Sequence, residues 1–356
     1  MSKFLSEKLC ELTEYVPGEQ PRDRKYIKLN TNESPYPPSE NVIKAVSKEE
    51  IQNLRLYPDP ECKGLKSELA ALYGVSAENI FLSNGSDDIL NFAFLAYGDR
   101  GAAFADITYG FYKVFAQLHG VEATIIPLRD DFSLDAEKFK GQNKLIVIAN
   151  PNAPTGIAEP LDVIEEIIKS NSDSVVLVDE AYVDFGGESC MELTKKYSNL
   201  LCVQTFSKSR SLAGGRLGFA IANKELIKDL EKIKYSTNPY NINSLTQIAG
   251  IATLRDNGYY TENCKKIIKT REFTAESLKA LGFEVLPSKT NFIFAKTDKI
   301  SGKKLYEELK KKGILIRHFE SPRISNFNRI TIGSKEEMEI FIQKVKEILG
   351  ENYESK

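Results

Sequence analysis

The spacing of apolar residues changes along the chain, and each change marks a different kind of structure. From about residue 80 to 222, short apolar runs rich in β-branched residues alternate with amphipathic stretches. ENIFLS (78–83), AAFAD (102–106), EATIIPL (122–128), KLIVIAN (144–150), SVVLVDEAY (174–182), NLLCVQTF (199–206) and RLGFAIA (216–222) read as strands. SDDILNFAFLAY (86–97) and PLDVIEEIIKS (160–170) read as helices, the second with Pro160 at its first turn. Continuous apolar strands alternating with helices predict a mostly parallel sheet covered on both faces.

Upstream, CKGLKSELAALYG (62–74) carries Leu65, Leu69 and Leu72 at helical spacing and closes on Gly74. KLNTNESPYPPSE (28–40) holds Pro35, Pro37 and Pro38 and reads as an extended arm over a surface. Past residue 223 the pattern becomes long and helical, with one or two helices over Leu245–Leu281. KTNFIFAKT, SGKKLYEELKKKG, ILIRHF, NRITIGS and a last helix, SKEEMEIFIQKVKEILG, then follow in β-α-β-β-α order. The prediction is an α/β protein. It has an N-terminal arm (1–39) packing back on the small domain, a large three-layer domain (40–270) and a smaller α+β domain (271–356). A length of 356 residues agrees with about two domains.

Composition narrows the chemistry. Lys and Arg total 48 against 50 Asp and Glu, so no bulk charge attracts nucleic acid or an anionic membrane. No apolar run approaches the roughly 18 residues of a membrane span. The start, MSKFLSEKLCELTEY, is broken by charges and does not read as a signal peptide. Only His119 and His318 are present, which excludes a histidine-rich metal site and makes catalytic triads improbable. His119 reads as a helix-end residue, and His318 as a strand residue facing away from Arg317. The five cysteines are scattered without a CxxC, as in a reducing, cytoplasmic compartment, and no metal is expected. Dinucleotide and P-loop fingerprints are absent.

Ligands of open α/β sheets sit beyond the carboxyl ends of strands. Here those ends carry Asn84-Gly85-Ser86-Asp87, NPNAPTG (150–156), Asp179-Glu180-Ala181-Tyr182 and Ser207-Lys208-Ser209-Arg210, the last followed by Arg216. Taken singly, each is an ordinary cap, turn or surface residue. Taken together, they match pyridoxal phosphate. The phosphate calls for Gly85, Ser86, Asp87, Ser207, Ser209 and Arg216. The pyridine nitrogen calls for a carboxylate, Asp179, and the phenolic oxygen for Tyr182 and Asn152. The aldehyde calls for an amine of lowered pKa, Lys208. Tyr109 is placed to stack on the ring.

The motifs NPNAPTG, VDEAY and TFSKSRSLAGGRLG, with YPDP upstream and RITIG downstream, resemble the fold-type I aminotransferases, and most of all those acting on histidinol phosphate. The resemblance runs over nearly the whole chain. It implies an aspartate-aminotransferase-like fold, with Lys208 as the lysine that condenses with the cofactor and shuttles protons. It also implies a homodimer in which Tyr57 reaches the phosphate across the interface. Arg329, Arg317 and Tyr15 are implied at the substrate's acidic groups, and Asn291 is a further substrate candidate. Histidinol phosphate with 2-oxoglutarate is the implied pair. A threonine-phosphate decarboxylase and an aromatic-amino-acid aminotransferase are the alternatives. A non-catalytic sensor built on this fold is a further alternative, disfavoured because two enzyme domains and the arm are expected to account for a chain of this length. The chain departs from the family at Ala153, where an Asn commonly meets the phenolic oxygen, which leaves Asn152 for that contact. The arm departs too, reading NTNESPYPPS for NENPYGP.

Overall fold

The structure is a computed structural model and describes residue 2 and residues 4–350. Apart from a 3-10 turn at Glu7–Leu9, the arm is irregular until strand β1 (Ile27–Lys28). Helices α1 (Glu40–Ala45), α2 (Lys48–Gln52) and α3 (Lys63–Tyr73) follow. Then come β2 (Ile80–Ser83), α4 (Ser86–Tyr97), β3 (Ala102–Ala105), α5 (Phe111–His119), β4 (Ala123–Ile126) and β5 (Leu145–Ala149). The alternation closes with α6 (Leu161–Ser170), β6 (Val176–Asp179), β7 (Leu200–Thr205) and β8 (Gly218–Ala222). Three helices, α7 (Lys224–Thr237), α8 (Ser244–Arg255) and α9 (Asn257–Ala280), lead to β9 (Glu284–Val285), β10 (Phe292–Lys296) and α10 (Gly302–Lys311). The last elements are β11 (Ile314–Leu315), β12 (Arg317–His318), β13 (Asn328–Thr331) and α11 (Lys335–Leu349).

The large sheet has seven strands in the order β2-β8-β7-β6-β5-β3-β4. Every pairing is parallel except the two made by β8. All six residues of β7 are buried, as a strand covered on both faces must be. Strand alternation separates the two layers. Val176, Val178, Leu200 and Cys202 join one apolar cluster, and Leu177, Leu201 and Val203 join the other. Each of these valines and leucines contributes about 1.5–3 kcal/mol by leaving water.

The second sheet is antiparallel, in the order β12-β13-β10-β9. Its core packs Ile293 and Ile330 against Leu305, Phe341 and Ile267 from α10, α11 and α9. α11 begins with a capping box, Ser334 with Glu337. The arm joins this unit: β1 pairs in parallel with β11, Leu29 enters its core, and Tyr306 donates to Glu19 Oε1 at 2.5 Å.

Two expectations change. ILIRHF is not one strand. Its first half pairs with the arm and its second half with β13, so the chain changes partner at Ile316. The boundary at residue 270 falls inside α9, a continuous 24-residue helix. Ile267 and Leu278 from that helix both enter the small unit's core, so its packing does not change at 270.

Candidate active site

Parallel strands place all their carboxyl ends on one edge. β8 runs the other way, so its amino end, with Arg216 just before it, comes to that same edge. Register then lines up Ser83, Gly218 and Thr205 in one row, and Ala149, Asp179 and Val203 in another. A cavity of about 890 Å³ opens there, lined by Ser86, Asp87, Tyr109, Asp179, Tyr182, Thr205, Ser207, Lys208 and Arg216.

The floor is Asp179, only 5% exposed. Burial pushes its carboxyl up to about 6, and the nearby carboxylates of Asp87 and Glu180 act in the same direction. The Tyr112 hydroxyl donates to Oδ2 at 2.8 Å and the Ala181 N–H to Oδ1 at 3.2 Å, both favouring the carboxylate. Lys208 Nζ donates to the carbonyl of Thr31 at 3.2 Å and lies 5.9 Å from the centre of the Tyr182 ring. Burial, helped by the charge of Arg329, lowers its pKa to about 8. A fraction of this amine is therefore neutral near pH 8, as a nucleophile or base must be.

The rim is a cup at the start of α4. Gly85 has φ +83°, and a Cβ there would lie 2.5 Å from Arg216 Nη2. Arg216 Nη2 pairs with Asp87 Oδ2 at 3.0 Å, and Nη1 donates to Ser207 Oγ at 3.4 Å. Asp87 Oδ1 accepts from the Tyr109 hydroxyl at 2.8 Å, which holds that ring over the cavity.

The mouth is built by the arm and the small sheet. Tyr15 stacks on Phe111 at 4.2 Å and stands 6.1 Å from Tyr109. Arg317 donates to the carbonyls of Val16 and Pro17, and Arg329 to that of Asn30. Arg329 Nε is buried without a protein partner among the described residues.

A family model, aminotransferase class I and II, matches residues 24–345. The chain belongs to this family. The aminotransferase is 54% identical over 352 residues to a histidinol-phosphate aminotransferase of Brachyspira hyodysenteriae, a match covering 98% of this chain and 99% of that relative. It is also similar to the crystal structure of the histidinol-phosphate aminotransferase from Clostridium acetobutylicum (TM-score 0.85, 26% identity, 92% of this chain and all of that one). A third match is the Sinorhizobium meliloti histidinol-phosphate aminotransferase in complex with pyridoxal 5'-phosphate (TM-score 0.83, 25% identity, 92% of each chain).

Not every sequence candidate of the aminotransferase reaches the cavity wall. Asn152 does not. Its Nδ2 donates to Ile107 O and Thr155 Oγ1, and its Oδ1 accepts from Thr108, so it braces the loop while Ala153 lines the cavity. Ser209 turns away and donates to Asp184, on the opposite side of the lysine loop. Asn291 is buried one layer behind, holding the carbonyl of Asn32 at 3.0 Å. Tyr57 lies outside the cavity, 82% exposed and stacked on Tyr240 at 4.6 Å. Conversely, Tyr112, Thr205 and Asn32 escaped the sequence reading. Tyr112 follows Tyr109 by one helical turn, a spacing that signals a shared face. Asn32 gives no such signal, because its contacts are all with distant segments.

Proposed function

We propose that the chain is a pyridoxal-phosphate-dependent histidinol-phosphate aminotransferase. It moves the amino group of histidinol phosphate to 2-oxoglutarate, giving imidazole acetol phosphate and glutamate. One observation carries the reading: a lysine of lowered pKa, a buried carboxylate and an anion cup face the same cavity, whose mouth holds two arginines. Residues and cofactor match in kind. Arg216, Ser207 and the Gly85-Ser86-Asp87 turn suit the phosphate, Asp179 the pyridinium, Tyr182 the phenolic oxygen and Tyr109 the ring face. The cofactor supplies an electron sink for the carbon that loses its proton.

The side chains do the rest. Asp179 would hold the pyridine nitrogen in its protonated form. Lys208 Nζ takes the proton from the carbon bearing the donor's amino group, a task its pKa near 8 suits. Arg329, with Nε unpartnered, binds a carboxylate or phosphate, and Arg317 and Tyr15 close over it. A second copy of the chain would bring Tyr57 to the phosphate cup. Its exposed ring, near exposed Leu54 and Leu56, supports a homodimer. Four buried free cysteines suit a cytoplasmic setting. Among the described residues, no helix is long and apolar enough to cross a membrane.

A half-reaction screen tests the substrate. Histidinol phosphate is expected to change the bound cofactor's absorbance, with threonine phosphate and phenylalanine inert. Release of carbon dioxide from threonine phosphate would overturn the assignment. Borohydride is expected to fix the cofactor to the peptide containing Lys208.

A further inference from the structure

Asn32 sits on the arm with φ +57°, a left-handed conformation that asparagine tolerates. It is 1% exposed, and its hydrogen bonds leave little choice of direction. The backbone N–H of Asn32 donates to Thr331 Oγ1 at 3.0 Å. Thr331 therefore turns its own proton to Asn32 Oδ1, 2.9 Å away. That fixes the amide. Its Nδ2 faces Tyr182 and donates to the phenol oxygen at 2.9 Å. Tyr182 thus already accepts a bond, and its proton has no protein acceptor among the described residues. Tyr182 and Ala153 both line the cavity, and the Ala153 side chain offers no polar group there.

We propose that Asn32 is a positioning residue that makes the Tyr182 hydroxyl a donor into the cavity, toward the cofactor's phenolic oxygen. The task left open at Ala153 is met from the arm, by way of a tyrosine. The proposal rests on the cofactor assignment for its consequence but not for its geometry. It also ties two parts of the chain together. Thr331 and Asn291, on the small sheet, hold Asn32 from behind. The neighbouring Thr31 carbonyl holds Lys208. Two adjacent arm residues therefore set the proton direction at Tyr182 and the resting place of the amine, and both depend on the arm being seated. The donated bond also favours the phenolate of Tyr182 against the burial that raises its pKa.

Asn32→Asp tests this, because it keeps size and backbone tolerance but replaces a donor with an acceptor. The first readout needs no cofactor. In cofactor-free protein labelled at tyrosine ring carbon ζ, the Tyr182 resonance is identified by its loss in Tyr182→Phe. Asn32→Asp is expected to raise the pKa of that phenol by at least about one. Thr331→Val, which frees the amide to turn, is expected to raise it by less and serves if the first variant does not fold. An unchanged Tyr182 titration in the folded variant overturns the proposal. In the holoenzyme, Asn32→Asp is expected to move the pH at which the cofactor absorbance changes, and to lower kcat about tenfold with KM little altered. A phenol shift without any cofactor absorbance in wild-type protein would break the cofactor reading and leave the Asn32–Tyr182 link standing.

Discussion

The floor and the mouth of this cavity are built on different principles. On the floor and rim, Asp179, Lys208 and Arg216 lie at or beside the ends of neighbouring strands, and sheet register brings their backbones together. At the mouth, Tyr15, Asn32, Arg317 and Arg329 come from chain segments about 300 residues apart, held by carbonyl contacts such as Arg317 to Val16. A floor built on strands is rigid and suits bond chemistry. A mouth built from distant segments suits selection of what enters.

Substitutions can break that contrast, starting with the floor. Lys208→Ala is expected to lower kcat by at least about 10⁴-fold while the protein stays folded, as read by steady-state kinetics and circular dichroism. Arg329→Leu, at the mouth, is expected to raise KM for acidic substrates about 100-fold and to change kcat much less. Equal losses in both parameters would mean that the mouth takes part in the chemical step. Arg216→Ala is expected to weaken cofactor binding roughly 10- to 100-fold in an equilibrium titration, from the loss of charge-assisted bonds to phosphate.

The smallest effect is on stability. Asp179 is held at about 6, above the usual carboxylate value, so the cofactor-free folded state binds a proton more readily than the unfolded chain does. Its ionisation costs stability above pH 6, and the cost disappears as pH falls toward 4. Asp179→Asn is therefore expected to raise the Tm of cofactor-free protein at pH 7 by roughly 2–5 °C and to leave it unchanged at pH 4. A gain of equal size at both pH values would show that the carboxylate's charge is not its cause.

The same contrast governs what the sequence reveals. Strand-end residues are legible because a strand shows its own length and a loop shows its own chemistry. Asp179, Tyr182, Ser207, Lys208 and Arg216 were readable from local motifs and all line the cavity. Ser209 misled because neighbours in a loop can face opposite ways, and its hydroxyl goes to Asp184. Asn152 misled because a side chain that braces its own loop looks in sequence like one that faces a ligand. The split of ILIRHF depends on a partner more than 280 residues upstream, which no local pattern reports.

Gly218 carries a last consequence. It stands opposite Ser83 and Thr205 in the sheet, and any Cβ on it would run into the amide of Ser86. The cup's turn and the strand beside it meet backbone to backbone, with no side chain between them to swing aside. Loosening the cup therefore means parting β8 from β2, whereas the mouth is held by hydrogen bonds between the arm and the small sheet. One pocket is thus held in two ways: its cup by backbone packed on backbone, its mouth by side chains reaching across to the arm.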